Sequence, residues 1–269
     1  MSKIMENNTP GVRSGLLLID AGNTRIKWAF TDLPSPDDSA ATPIWRASGS
    51  VAHADVSDLS TAWSGLTVTR VLISNVAGEA IAERLQHQLQ LVFGKNISPE
   101  WFASSQQHAG VRNAYRNPSQ LGCDRFASAI GAHRLYPQQT LLLATCGTAT
   151  TIDLIEADGV FIGGMILPGL GLMASALARG TAHLPMILDQ VVISRPFADN
   201  TEDAIISGCI AAQVGAISTA LAFQRRDHPA TEITCILTGG SAPVIGPHLP
   251  MPYKSVDHLV LIGLWTSVI

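Results

Sequence analysis

Charge is what this 269-residue sequence has least of: 17 Lys and Arg with 21 Asp and Glu make up 14% of the chain, where soluble domains carry roughly 25%. The basic residues are dispersed, and their longest run is Arg225-Arg226. Neutralising a row of phosphates takes clustered Lys and Arg, so a nucleic-acid partner is excluded. Cysteine is equally sparse: Cys123, Cys146, Cys209 and Cys235, with no CxxC spacing. That excludes a disulfide scaffold and leaves reduced, mostly buried thiols. The eight histidines form no HExxH and no close His/Cys pair, so nothing supports a zinc site. No GxSxG elbow is present, and Gly94-Lys95 is followed by Asn96, which rules out a P-loop. Gly169-Leu170-Gly171-Leu172-Met173-Ala174 fits G-x-G-x-x-A, but it follows Pro168 in mid-chain without an opening βαβ unit, so dinucleotide binding is not expected.

Low charge with 46% hydrophobic residues leaves either a membrane segment or a large buried apolar surface. Stretches 160–178 and 204–223 carry no charge and approach the length of a membrane span, about 20 residues. The first is broken by Gly163, Gly164, Pro168, Gly169 and Gly171 and reads as strand, turn, helix. The second contains Ser207, Gln213, Ser218 and Thr219, residues suited to a buried helix packed closely on a partner. No membrane span is expected; these segments are expected to form core and a homodimer interface. Residues 1–14 read as a loose polar tail, and the apolar run after them, Leu16 to Ile19, is too short for a secretory signal. A cytoplasmic protein is expected.

Periodicity places strands over 15–20, 25–31, 66–74, 141–145, 150–155, 159–167 and 233–237, and helices over 77–93, 121–136, 169–180, 201–224 and 258–268. Residues 99–118 read as a long irregular loop. Within this α/β pattern LLLIDAGNTRIKWAF (Leu16 to Phe30) and LLLATCGTATTIDLI (Leu141 to Ile155) share one plan: an apolar strand, a Gly-containing turn, a second alternating strand. A repeat this far apart suggests two similar lobes facing each other across a cleft.

The turns carry the chemistry. Gly22 lets backbone amides approach a ligand, Asn23 and Thr24 add side-chain donors, and Lys27 adds a positive charge. Asp20, at the strand's carboxyl end, would repel a phosphate unless a divalent cation bridged them, so the hairpin reads as a Mg²⁺–phosphate site; an ordinary β-hairpin is the other reading. The second turn repeats the donors with Thr148, Thr150 and Thr151. Asp124, in LGCDRFA, is either an N-cap-type Asp or a general base with Arg125 fixing an anionic substrate. Spacing leaves both open.

DAGNTRIK (Asp20 to Lys27), NAYRNPSQLGCDR (Asn113 to Arg125), CGTATTIDL (Cys146 to Leu154), GGMILPG (Gly163 to Gly169) and TGG (Thr238 to Gly240) together resemble, in order and spacing, the type III pantothenate kinases, a family similar also to Bvg accessory factors. The resemblance runs from Leu16 onward. It implies an actin/hexokinase-like (ribonuclease H-like) two-lobed fold with duplicated mixed-sheet domains and a central cleft, here drawn as 15–124 and 125–269. It implies transfer of the γ-phosphate of ATP to pantothenate, with a kinase of the same fold for another small hydroxy acid, or a non-catalytic regulatory protein, as alternatives. By resemblance Asp20, Ala21, Gly22, Asn23, Thr24, Arg25, Ile26 and Lys27 form the ATP phosphate segment, Asp20 holds Mg²⁺ directly or through water, and Thr148 is a second ATP contact. Tyr115, Gly122, Cys123, Asp124, Arg125 and Thr201 bind pantothenate, with Asp124 as proton acceptor and Thr201 serving the other protomer of a homodimer. Thr145 stands where many members carry an Asp that binds K⁺ or NH₄⁺. Its neutral hydroxyl and carbonyl imply a weak or absent K⁺ requirement.

Overall fold

The computed structural model describes residues 15–34, 42–180 and 197–269; the tail expected over 1–14 lies outside them. The chain divides into two compact units, Met1–Phe102 with Val268–Ile269, and Ala103–Ser267.

In the first unit the run GLLLIDA forms β1 (Gly15–Ala21), a strand whose apolar side chains are buried on both faces, the pattern of a central strand. It turns back at Gly22 into β2 (Arg25–Asp32), which pairs in turn with β3 (Ala47–Ala52). Helix α1 (Asp58–Trp63) leads to β4 (Val68–Asn75), parallel to β1, and α2 (Glu79–Phe93) leads to the short β5 (Glu100–Trp101). The sheet order is β3-β2-β1-β4-β5. Trp63, fully buried, stands edge-on to Trp28 and stacks on Phe93, closing the core over the sheet.

The second unit opens with two short strands, β6 (Gln107–His108) and β7 (Val111–Asn113), inside the segment expected to be irregular. Helix α3 (Cys123–Leu135) is followed by the hairpin β8 (Thr140–Cys146) and β9 (Ala149–Ile155), then β10 (Val160–Pro168). Helices α4 (Leu170–Gly180) and α5 (Thr201–Asp227) precede β11 (Ile233–Thr238), and α6 (Ala242–Ile245), β12 (Lys254–Ser255) and α7 (Leu259–Thr266) complete the unit. The sheet order is β12-β11-β8-β9-β10-β7-β6.

The duplication goes further than the hairpin repeat. Strands β3-β2-β1-β4-β5 and β10-β9-β8-β11-β12 run in the same order. In both sets the first three are antiparallel neighbours and the last two are parallel additions. Each hairpin thus lies at the centre of its sheet, with its turn at the carboxyl end of β1 or β8.

Helix α5 is, among the described residues, the one helix long and apolar enough to cross a membrane by length and composition. Half of its apolar window is buried inside the protein. Ile217, Ala220 and Leu221 pack with Leu142, Cys146, Ile152 and Leu237 of the sheet, and Ile205 and Cys209 pack on Ala174 of α4. Gln213, with no exposed surface, donates from Nε2 to the Pro168 carbonyl at 2.7 Å. All four cysteines are free thiols, and burial pushes Cys146 up to about 12.

Candidate active site

The first turn is short and tied from two sides. The Gly22 N–H donates to the Arg25 carbonyl at 3.1 Å, and the Ala21 carbonyl accepts from the Val76 N–H at 3.0 Å. The Gly22 carbonyl is met by His53 Nε2 at 2.8 Å. Asp20 lies opposite Lys27 across the β1–β2 pair and opposite Ser74 on β4, so one carboxylate and one ammonium stem share a position at the end of the strand. Asn23, Thr24 and Arg25 are exposed at the turn, and Arg25 donates from Nε to Ser50 Oγ at 2.8 Å. The Ala21 and Ile26 side chains are fully buried, which leaves only their backbone to face a ligand.

The second turn is built alike. The Gly147 N–H donates to the Ala149 carbonyl at 3.1 Å. Two further motifs converge on it: the Gly169 N–H, ending GGMILPG, donates to the Thr148 carbonyl at 2.9 Å, and the Ser241 N–H, just past TGG, donates to the Cys146 carbonyl at 3.0 Å. Thr145 lies in register with Thr151 on β9 and Thr238 on β11, so a row of hydroxyl side chains replaces the expected carboxylate.

The residues expected to bind substrate meet at the start of α3. Gly122 caps the helix, Cys123 opens it half-buried, and Asp124 follows in the first turn. Asp124 Oδ1 accepts the Arg125 N–H at 2.8 Å. Burial pushes its carboxyl above the usual carboxylate range, with that hydrogen bond and the Arg125 charge pulling the other way. Raised acids at concave sites are typical of proton-transfer residues.

Arg125 is 8% exposed. Its Nε donates to Asp153 at 3.2 and 3.3 Å, its Nη2 donates closely to Asp153 Oδ1, and its Nη1 donates to the Tyr115 hydroxyl at 2.9 Å. Tyr115 is held by its N–H to Asn113 Oδ1 at 3.0 Å, and Asn113 in turn donates to the Ser105 and Pro118 carbonyls. The structure therefore joins Tyr115, Gly122, Cys123, Asp124 and Arg125 within one unit. Thr201 stands apart from this network, exposed at the start of α5 beside its Asn200 cap. Sequence reasoning missed Asp153. Along β9 it is the one carboxylate in ATTIDLI, and its partner Arg125 lies on another element, so the sequence alone carried no signal for the pairing.

Among the described residues no group of three His, Cys, Asp or Glu gathers to hold a metal. Mg²⁺ in phosphoryl transfer is held by one or two carboxylates with substrate phosphates and water, and the single carboxylate of Asp20 at a donor-rich turn fits that arrangement.

The family profile described as type III pantothenate kinase matches residues 16–222. A type III pantothenate kinase of Janthinobacterium sp. (strain Marseille) is 54% identical over 255 residues, covering 94% of this chain and 97% of the relative. That of Herminiimonas arsenicoxydans is 54% identical over 254 residues with the same shares. Among solved structures, a conserved protein of the Baf transcriptional-activator family from Campylobacter jejuni aligns with a TM-score of 0.52 at 18% identity, over 94% of this chain and 96% of that one. The ethanolamine utilization protein EutJ of Carboxydothermus hydrogenoformans gives 0.52 at 12% identity, over 97% and 91%. The fold they share with this chain is the actin/hexokinase-like one.

Proposed function

The chain belongs to the type III pantothenate kinases, and on that premise we propose how its residues carry out the reaction. The enzyme phosphorylates pantothenate at the expense of ATP, giving 4'-phosphopantothenate, the first step of coenzyme A biosynthesis.

Asp124 is the proton acceptor. Its Oδ1 is occupied by the Arg125 N–H, so the second oxygen receives the hydroxyl proton of pantothenate. The freed oxygen attacks the γ-phosphorus in line, and the bond from that phosphorus to the β–γ bridging oxygen breaks, releasing ADP. The observation that carries the reading is the placing of Asp124 in the first turn of α3, with Oδ1 tied to the Arg125 N–H, next to an Arg125 that also reaches Tyr115; burial, which pushes its carboxyl upward, agrees with a base. Arg125 and Tyr115 hold the pantothenate carboxylate by charge-assisted hydrogen bonds, with Gly122 and Cys123 shaping the approach.

The backbone amides of 21–26, the side chains of Asn23, Thr24 and Arg25, and Lys27 handle the ATP phosphates, with Thr148 as a further nucleotide contact. Asp20 would hold Mg²⁺, directly or through water; when bound, the metal neutralises charge on the β- and γ-phosphate oxygens. Thr145, with Thr151 and Thr238 beside it, supplies only neutral oxygens for a monovalent cation. Thr201 acts at the partner's site in a homodimer, a role supported by its exposure. The protein works in the cytoplasm, a reading supported by the burial of half of the apolar window of α5 within the protein.

The test is a coupled assay of phosphopantothenate formation with MgATP. The wild-type chain turns over, and Asp124→Asn loses about 10²- to 10⁴-fold in kcat with the fold retained by circular dichroism. Near-normal turnover in that variant removes Asp124 from the mechanism.

A further inference from the structure

Arg125 is clamped from several sides by groups of its own unit. Asp153, with no exposed surface, takes its Nε and Nη2, and Tyr115 takes Nη1. The rings of Tyr115 and Phe161 each lie 5.7 Å from its guanidinium carbon. Asp153 is fixed in turn: Thr151 Oγ1 donates to its Oδ2 at 3.2 Å. Its neighbour on β10 is Gly164, where a methyl group would collide with Asp153 Oδ1, the Ile152 carbonyl and Arg125 Nη2. The sheet has left room for this ion pair and nothing larger.

A guanidinium has five N–H donors. Asp153 and Tyr115 occupy three, which leaves one on Nη1 and one on Nη2. Because the Tyr115 hydroxyl accepts from Arg125, its own hydrogen points elsewhere. The result is a fixed set of directed donors, two from Arg125 and one from Tyr115.

We propose that Asp153 is a positioning residue for pantothenate binding: it aims the free donors of Arg125, and through them the Tyr115 hydroxyl, at the substrate carboxylate. The proposal rests on the reading of Arg125 as a substrate contact. Asp153 acts through Arg125 and does not touch the substrate. A structural ion pair alone would support folding without favouring one substrate, whereas an aimed donor set acts on pantothenate and leaves ATP alone. The interaction contributes to binding equally in the ground and transition states, so its loss falls on KM.

The experiment is a cycle of Arg125→Gln, Asp153→Asn and the double variant, each checked for folding and assayed for both substrates. Arg125→Gln and Asp153→Asn are each expected to raise KM for pantothenate about tenfold or more, with KM for ATP within about twofold. The double variant is expected to match Arg125→Gln, because Asp153 has nothing left to aim. An unchanged pantothenate KM in folded Asp153→Asn, beside a raised one in Arg125→Gln, overturns the proposal. So does a double variant clearly worse than Arg125→Gln, which would give Asp153 a role of its own. An unchanged KM in Arg125→Gln overturns instead the reading on which the proposal rests. If Asp153→Asn does not fold, Thr151→Val, which removes the hydrogen bond that fixes Asp153 Oδ2, takes its place: a raised pantothenate KM with KM for ATP within about twofold is expected, and an unchanged pantothenate KM overturns the proposal.

Discussion

The role proposed for Asp124 carries a cost in stability. A carboxyl whose folded-state pKa lies above its unfolded value stabilises the fold while protonated. That contribution is present at pH below the ordinary carboxylate pKa and is lost as pH rises through the raised value. At neutral pH the ionised Asp124, desolvated at the head of α3, therefore weakens the fold it serves. Asp124→Asn keeps the oxygen that accepts the Arg125 N–H and cannot ionise. It is expected to unfold at a higher temperature than the parent at pH 7 while losing turnover, with the gap closing in acid; thermal melts across pH measure both limbs. Thr145 makes a second prediction at this scale. Exchanging K⁺ for a large organic cation is expected to change kcat/KM less than about threefold, since neutral oxygens alone give a monovalent ion little to bind. A K⁺-dependent rate would show that the hydroxyl row of Thr145, Thr151 and Thr238 suffices.

The residues proposed for the site could be picked out in sequence where they sat in contiguous motifs: the turn 20–27, the run 122–125, the turn at 147–148. Asp153 was not, because its meaning lies in a partner on another element. Arg125 and Asp153 are 28 residues apart, and within β9 the carboxylate reads as one polar step in an alternating strand. Arg125 itself, in sequence, is a cation beside a base; only the fold reveals that its charge is already matched.

At the scale of elements, strong apolar runs announced themselves. β1, β8 and β11 are central strands, and α2 shows its helical spacing in Ile81, Leu85 and Leu89, all buried. The weak elements did not. β3, with sequence ASGSVA, has too few large side chains to signal a strand, and without it the five-strand duplication is invisible as sequence. β5, β6 and β7 are two or three residues long and exist because neighbouring strands offer unpaired edges. Helix α5 illustrates how composition misleads in the other direction, since its uncharged face is as apolar as a membrane span. Its distinguishing residue is Gln213, which reaches across to the Pro168 carbonyl and so holds the chain where β10 ends, before the Gly169 contact to the second turn. Gln213→Leu leaves that carbonyl without its donor. It is expected to cost about 1 to 3 kcal/mol, read by chemical denaturation, and to raise KM for ATP more than KM for pantothenate.

For the whole molecule the low charge count has a surface expression. On β10 Ile162, Met165 and Ile166 are exposed, Ile166 at 65%, and on α4 Leu172 and Leu177 are exposed as well. All five residues lie in the uncharged stretch 160–178. Such a concentration of apolar surface marks an interaction face, and the proposed homodimer would use both the patch and the exposed Thr201. Sedimentation is expected to give a dimer. Ile166→Lys is expected to shift it toward monomer and to lower turnover with it; a wild-type monomer would contradict the homodimer. The long-range packing of the second unit carries a consequence in time. Helix α3, which bears Asp124, packs chiefly on α7. At their crossing Gly131 and Gly263 let the backbones nearly touch. On the ribosome α7 is made after every other element described here, so α3 waits through the synthesis of a whole sheet for the surface that seats it. The helix that bears Asp124 is among the first parts of its unit to be translated and among the last to be locked. A nascent chain stalled short of α7 holds the substrate motif and lacks the packing that would fix its carboxylate.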